Sequence, residues 1–339
     1  MKQEKKNIAI IAGGDSSEHD VSMRSAEGIR SFLDAEKYNI YIVEMCNGKW
    51  EAHLNSGEKS PVDKNDFSFS DGSIRIRPDF AYITIHGTPG EDGILQGYFD
   101  LIGMPYSTSG VLVEALTFNK FMLNQYLKGF GVSVSESLVV RKGFEHLVTE
   151  DEIVNNIGLP CFIKPNAGGS SFGVTKVKKA EDIAEAIRKA LNESDEVMVE
   201  AFMPGTEITC GCYKTREKEV ILPITEVVTG NEFFDYDAKY NGQVQEITPA
   251  RLKEDTAERV RLITSTIYDI LGCSGIIRID YIITTTKNDD GTEKERINML
   301  EVNTTPGMTA TSFIPQQVAA AGLQMKDVLT EIIENKLNP

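Results

Sequence analysis

KPNAGGSSFG, residues 164–173, sets a lysine ahead of three glycines and two adjacent serines, directly after the apolar run LPCFI at 159–163. A P-loop places its lysine after the glycines, at the mouth of a helix, where it reaches the terminal phosphates. Here Lys164 comes first, at the end of an expected strand. The stretch is therefore either an ordinary Gly-rich turn or part of a nucleotide site of another geometry. In the second case a strand-end lysine neutralises α- and β-phosphates while small residues let backbone N–H groups fold over the γ-phosphate.

The surroundings of the loop form a compact α+β segment. NKFMLNQYLKGFG reads as a helix, LVV, LPCFIK and GVTKV as strands, and AEDIAEAIRKALN as an amphipathic helix with Ile183, Ala186, Ile187, Ala190 and Leu191 on one side. EVMVEAFM is a further strand. Upstream, NIAIIAG, NIYIVEM and FAYITIHG read as strands alternating with the helices EHDVSMRSAEGIRSFLD and GILQGYFDLIG, the first carrying Val21, Ala26, Ile29 and Leu33 at roughly helical spacing. That alternation predicts a doubly wound, mostly parallel α/β sheet whose ligands lie beyond the carboxyl ends of its strands, where GGDSSEHD and HGTPGEDG fall. The stretch around 55–73 is polar and unpatterned.

Downstream, TEITCGCYKT alternates in period two and EVILPITEV reads as a second β run. A long polar, aromatic loop, GNEFFDYDAKYNGQVQEI, has neither periodicity, and loops of this length are usually lids or disordered. The helix EDTAERVRLITSTIYDILG places Val260, Ile263, Ile267 and Leu271 on one face and stops at Gly272. GIIRIDYIITTT and RINMLEVN flank the acidic turn KNDDGTEKE as a hairpin. The expected units are 1–118, a doubly wound α/β domain, then 119–204 and 205–339, two α+β domains, the last with a loop at about 230–247.

The totals limit the partners. A chain of 339 residues suggests about two domains, or three small ones. A net charge of -16 repels nucleic acid and anionic lipid, so an anionic substrate must be met by locally placed Lys, Arg or metal. No apolar run approaches the roughly 18 residues of a membrane span, and MKQEKKNIAIIAGG lacks a secretory pattern, so a cytoplasmic protein is expected. Five cysteines without a CxxC pair read as reduced structural thiols, Cys210 and Cys212 sharing one face of a strand.

Asp280, Glu301 and Asn303 are the sharpest cluster of chemistry. They stand on two apolar strands, where carboxylates are costly unless something positive compensates them. Alternation puts Glu301 and Asn303 on one face, and the hairpin brings Asp280 opposite. Such oxygen ligands suit Mg²⁺ that also holds nucleotide phosphates. A buried ion pair between a carboxylate and Arg278, which shares the face of Asp280, fits the cluster equally well. VEAFMPGTE sets Glu200 at a strand end and Glu207 seven residues later, suiting either a plain interdomain turn or the adenine and ribose of a nucleotide. Glu18 starts the first helix, where an acid is favourable without any function. His86 directly follows a strand, which packing explains less readily. His53 and His146 have no supporting context.

Taken together, GGDSSEHDVS, HGTPGEDGILQG, PYSTSG, Asn119-Lys120, KPNAGGSSFG, VEAFMPGTE, DYDAKY, GIIRIDYI and MLEVNTTPGMTATSF resemble, in order and spacing, the ATP-grasp superfamily and within it the D-alanine–D-alanine ligases. The resemblance covers nearly the whole chain and implies a three-domain ATP-grasp fold in which the last two domains clasp ATP. It makes KPNAGGSSFG a mobile phosphate loop, with Ser170 and Ser171 on the nucleotide, and Lys120 and Lys164 as phosphate-binding lysines. It implies that Glu200 and the Phe202 backbone read adenine, that Glu207 binds ribose, and that Lys239 also contacts nucleotide. Asp280, Glu301 and Asn303 would hold two Mg²⁺ or Mn²⁺ ions. Glu18, with Val21 and His86, would bind the first D-alanine, and Glu18, Ser170 and Tyr240 would close both loops by hydrogen bonds. Arg278 and the Gly307 N–H would stabilise developing negative charge, and Ser312 and Phe313 would line the pocket of the second D-alanine.

The implied reaction phosphorylates one D-alanine and condenses the acyl phosphate with the amine of another, for peptidoglycan precursor synthesis, in a cytoplasmic homodimer. Phe172, where a smaller aliphatic is usual, and STSG at 107–110 depart from the pattern without removing a catalytic residue. Three rival functions are each opposed by particular residues. A ligase using D-lactate is opposed by Tyr240, since in this family Phe there accompanies the hydroxy acid. A dinucleotide oxidoreductase is opposed by the missing G-x-G-x-x-G in GGDSSE. A non-catalytic ATP-binding regulator is opposed by the intact metal residues.

Overall fold

The computed structural model describes residues 5–16, 18–168, 173–229, 244–287, 291 and 293–338. The first unit runs β1 (Lys6–Gly13), α1 (His19–Phe32), β2 (Tyr38–Cys46), β3 (Lys49–His53), β4 (Lys59–Pro61), β5 (Phe69–Asp71), β6 (Ile74–Ile76), β7 (Phe80–Ile83) and α2 (Ile94–Leu101). Its sheet has the order β4-β3-β2-β1-β7, with β1 parallel to both β2 and β7. Successive residues of β1 feed two cores: Ile8 and Ile10 pack with Ala26 and Ile29 of α1, and Ala9 and Ile11 pack with Leu95 and Phe99 of α2. A strand covered on both faces reads as one apolar run, which is why NIAIIAG was legible.

Parallel pairing also sends the turns after β1 and β7 out of the same end of the sheet. The Ser16 hydroxyl donates to the His86 carbonyl at 3.3 Å and joins them. The polar stretch around 55–73, in contrast, hides β4 and the β5–β6 hairpin. These short strands are held by edge-to-face rings: Trp50 lies 5.0 Å from Tyr98 and 5.9 Å from Phe67, and Phe67 lies 5.1 Å from Phe99.

Two helices follow, α3 (Val111–Phe118) and α4 (Lys120–Lys128), then β8 (Ser137–Arg141), α5 (Glu150–Asn156), β9 (Cys161–Pro165), β10 (Thr175–Val177), α6 (Ile183–Ala190) and β11 (Glu196–Ala201). The antiparallel order is β10-β9-β11-β8. The stripe expected on α6 is the one that is buried, Ile183, Ala186, Ile187 and Ala190. α5 starts in a capping box in which Thr149 and Glu152 exchange side-chain-to-backbone hydrogen bonds.

The last part comprises β12 (Thr206–Lys214), β13 (Glu219–Ile221), β14 (Thr225–Thr229), β15 (Val244–Ile247), α7 (Glu254–Leu271), β16 (Ile276–Lys287), β17 (Glu293–Asn303), α8 (Phe313–Ala320) and α9 (Met325–Leu337). The sheet order is β15-β14-β12-β16-β17, with β13 beside β12. The expected alternation of TEITCGCYKT does not appear as alternating exposure: Ile208 to Tyr213 are all buried. Ile208, Cys210 and Cys212 face the core beneath α7, while the other face meets α8 so closely that a Cβ on Gly211 would lie 2.5 Å from Ile314 Cδ1. EVILPITEV is two strands, because Pro223 between them has no N–H to give a ladder. On α7, Val260, Ile267 and Leu271 are buried as expected, Ile263 only partly, and Gly272 closes the helix at φ +69°. All five cysteines are free thiols. No helix among the described residues is long and apolar enough to cross a membrane.

Candidate active site

β16 and β17 pair so that Asp280 faces Glu301, as the hairpin predicts, and Arg278 faces Asn303; the register shifts between Asp280 and Tyr281, so that Tyr281 faces Met299. The Arg278 guanidinium forks onto Asp280, Nε to Oδ1 at 2.9 Å and Nη2 to Oδ2 at 2.8 Å, and lies 3.9 Å from Glu301 Oε1. Asp280 also accepts from Thr209 Oγ1 at 2.5 Å and from Asn303 Nδ2 at 3.2 Å. Burial opposes the charge on Arg278, but the facing carboxylates outweigh it and raise its pKa further. Its guanidinium stands 5.2 Å from the Phe313 ring centre. The ion pair and the carboxylate cluster, alternatives in the sequence, are thus one constellation.

Two carboxylates and an amide are all oxygen donors, the set a hard divalent cation takes. Among the described residues no three His, Cys, Asp or Glu side chains are grouped to hold a metal. A cation held by Asp280, Glu301 and Asn303 would need further oxygens from a bound ligand or water to complete its shell.

These strands form one wall of a cleft of about 1560 Å³. Every described residue singled out by the family resemblance lines it. At one side β9 and β11 present Lys164 and Glu200, paired at 2.5 Å, and Glu200, only 2 % exposed, takes the Ser135 hydroxyl on its other oxygen. Lys120, at the head of α4, donates to the Gly168 carbonyl at 2.5 Å. The Phe202 ring lies 6.0 Å from that of Phe162 with Lys176 Nζ 3.9 Å from its centre, and the Phe202 N–H is 3.4 Å from the Pro160 carbonyl. Glu207, on β12, borders the same region.

At the other side Glu18 stands just before α1, and its N–H donates to Ser16 Oγ at 3.2 Å. Val21 does not join the buried stripe of α1, which consists of Ser22, Ser25, Ala26 and Ile29; it borders the cleft. His86 is also there, its Nε2 buried and without a hydrogen-bond partner among the described residues. Ser312, before α8, accepts the Thr309 N–H at 3.1 Å, and its Oγ would lie 3.0 Å from a Cβ on Gly307. Ser170, Ser171, Phe172, Lys239 and Tyr240 lie outside the described residues.

Sequence reasoning missed two acids that tie this wall together. Glu91 accepts the Gly87 N–H at 2.7 Å and the Thr305 hydroxyl at 2.6 Å; Glu114 accepts the Ser109 N–H at 2.9 Å and the Thr304 hydroxyl at 2.5 Å. Burial pushes both carboxyls up. Adjacent threonines just beyond Asn303 are thereby gripped from two directions. The only local signal was an acid inside HGTPGEDG beside His86.

Comparison with known proteins identifies the family. Residues 7–109 match the family described as D-ala D-ala ligase N-terminus and residues 126–334 that described as D-ala D-ala ligase C-terminus. Among curated proteins, the D-alanine–D-alanine ligase of Phocaeicola vulgatus is 71% identical over 98% of this chain and 99% of its own. That of Porphyromonas gingivalis strain W83 is 50% identical over 98% of each. Among solved structures, the VanG D-Ala:D-Ser ligase from Enterococcus faecalis superposes with a TM-score of 0.84 at 30% identity, covering 98% of this chain and 100% of that one. The Bacillus anthracis D-alanine–D-alanine ligase complexed with ATP gives 0.74 at 29% identity, covering 98% and 97%. The fold is that of the ATP-grasp ligases. Within them, the chain belongs to the D-alanine–D-alanine ligase family.

Proposed function

We propose that the protein joins two D-alanines into D-alanyl-D-alanine at the expense of ATP, releasing ADP and phosphate. What carries this reading is the meeting, in one cleft, of the Lys120 and Lys164 pair, the Arg278–Asp280–Glu301 cluster and the Glu18 and His86 pair. A carboxylate is a poor electrophile. One oxygen of the first D-alanine attacks the γ-phosphorus, the bond to the β-phosphate oxygen breaks, and ADP leaves. The neutral amine of the second D-alanine adds to the acyl carbon, and the tetrahedral adduct expels phosphate as the nitrogen loses a proton. No enzyme nucleophile is needed, so the cleft contributes positioning and charge, and orientation alone is worth up to roughly 7–11 kcal/mol.

Lys120 and Lys164 hold α- and β-phosphates, Glu200 and the Phe202 backbone hold adenine, and Glu207 holds ribose. Glu18 takes the ammonium of the first D-alanine, with Val21 and His86 around it. Arg278 and the Gly307 N–H face the oxyanion, while Ser312 and Phe313 border the second D-alanine. Ser170, Ser171 and Lys239 are assigned to the nucleotide, and Tyr240, with Glu18 and Ser170, to a hydrogen-bonded set whose task is to keep water from the acyl phosphate. Asp280, Glu301 and Asn303 hold two Mg²⁺ or Mn²⁺ ions, which when bound neutralise phosphate charge.

The three units expected at 1–118, 119–204 and 205–339 act together, and the product serves peptidoglycan precursor synthesis in the cytoplasm. A homodimer fits the apolar side chains exposed on the touching helices α2, α3 and α4, among them Leu101, Leu112 and Phe130 just beyond α4. The deciding experiment offers ATP, Mg²⁺, D-alanine and equal D-lactate, and identifies products by mass. D-alanyl-D-alanine is expected to predominate. Mainly depsipeptide would overturn the acceptor, and no D-alanine-dependent ADP would overturn the reaction.

A further inference from the structure

Asn166, two residues after Lys164, is only 1 % exposed, and its side-chain amide is engaged on both sides. Its Oδ1 accepts the Phe121 N–H at 2.8 Å, and its Nδ2 donates to Asn119 Oδ1 and Glu196 Oε2, each at 2.9 Å. The main chain is tied too. Its carbonyl accepts the Lys120 N–H at 3.1 Å and its N–H donates to the Glu196 carbonyl at 2.9 Å. Lys120 and Phe121 open α4, and N–H groups in the first turn of a helix have no partner within it. Asn119 accepts the third, from Met122, at 3.0 Å.

We propose that Asn166 is a positioning residue for the nucleotide: it fixes Lys120, at the head of α4, against Lys164, at the end of β9, so that both ammonium groups meet one polyphosphate. The proposal rests on reading the cleft as an ATP site. Asn166 is the midpoint of a five-residue segment, 164–168, that carries Lys164 at one end and accepts Lys120 Nζ at the other, on the Gly168 carbonyl. Glu196, which anchors the amide from outside, is itself held by Arg141 Nε at 2.7 Å. Alanine at 166 would leave the Phe121 N–H unsatisfied and free the helix start from the strand end.

The test uses the full chain and steady-state kinetics with ATP and D-alanine varied separately. N166A is expected to raise KM for ATP about tenfold, the loss of one to two buried hydrogen bonds, and to leave KM for D-alanine within about twofold. A merely structural defect would lower the active fraction, and so kcat, without separating the two KM values. N166D keeps the acceptor for Phe121 but sets a carboxylate against Glu196. Adding E196Q restores a donor there, leaves an oxygen for Arg141, and should recover most of the ATP affinity. An unchanged ATP KM in N166A, equal changes for both substrates, or no recovery in N166D/E196Q would overturn the proposal. If N166A does not fold, N166S carries the same comparison. If the wild type shows no D-alanine-dependent ADP release, the reaction assigned above fails instead. Equilibrium binding of a fluorescent ATP analogue to the same variants then reads the role of Asn166 by itself.

Discussion

Arg278→Lys is the most informative single substitution in the cleft, because it keeps the charge and removes the fork. Arg278 gives Asp280 two parallel charge-assisted bonds, at 2.9 and 2.8 Å, while reaching toward Glu301 at 3.9 Å. A lysine ammonium is a point donor that cannot present two parallel N–H groups in that geometry. Losing one bond to a charged group costs about 1.5–3 kcal/mol, or roughly ten- to a hundredfold. The loss should fall on kcat, since the guanidinium is assigned to charge that develops only as the amine adds. KM for ATP should change little. Arg278→Ala goes further, because it leaves Asp280, which is 8% exposed, without its cation, and breaking such a pair costs about 3–5 kcal/mol of stability. Measuring D-alanine-dependent ADP release alongside thermal melting separates the two effects. A lysine variant with kcat within about threefold of wild type would refute the oxyanion role.

Other substitutions test how the cleft is held. A Cβ on Gly28 of α1 would come 2.3 Å from the Met308 carbonyl, so Gly28→Ala should displace the turn carrying Gly307. It is expected to lower kcat at least about tenfold with a drop in melting temperature; normal turnover would show that the turn tolerates movement. The Lys59 ammonium, ahead of the opposing effect of burial, holds the Glu44 carboxyl at about 2 instead of its ordinary 4.5, so its stabilisation is complete above 4.5 and is lost as pH falls through 2. Lys59→Met should therefore raise the midpoint of acid unfolding within that window, and an unmoved midpoint would mean the pair contributes nothing. Burial pushes the thiols of Cys161 up to about 11 and of Cys210 and Cys273 up to about 12, so iodoacetamide at pH 8 should label the native protein first at Cys46. Peptide mapping that finds Cys210 labelled early would contradict the packing around β12.

What could be read from the sequence was local. The strand-end position of Lys164, the one-face placement of Glu301 and Asn303, and the buried stripe of α6 all follow from periods of two and 3.6 within a short window. That the hairpin brings Asp280 opposite Glu301 was also legible, but the register shift between Asp280 and Tyr281 was not. The grip of Glu91 on Thr305 and of Glu114 on Thr304 was not, since the partners are 214 and 190 residues apart and nothing local marks them. Asn166 was hidden for the same reason: in KPNAGG it looks like a turn residue, and only the approach of α4 reveals that it caps a helix. The alternation of β12 misled in the other direction. A sheet covered on both faces needs no polar side, and the small residues in TEITCGCYKT fit the close approach of α8.

The most direct test of the account follows the carboxylate oxygen. D-Alanine labelled with ¹⁸O in its carboxylate is turned over with ATP and Mg²⁺, and the phosphate and nucleotide products are analysed by mass. Activation by phosphoryl transfer at the cleft predicts one ¹⁸O in each inorganic phosphate released and none in ADP. Unlabelled phosphate, or label appearing in AMP, would contradict it.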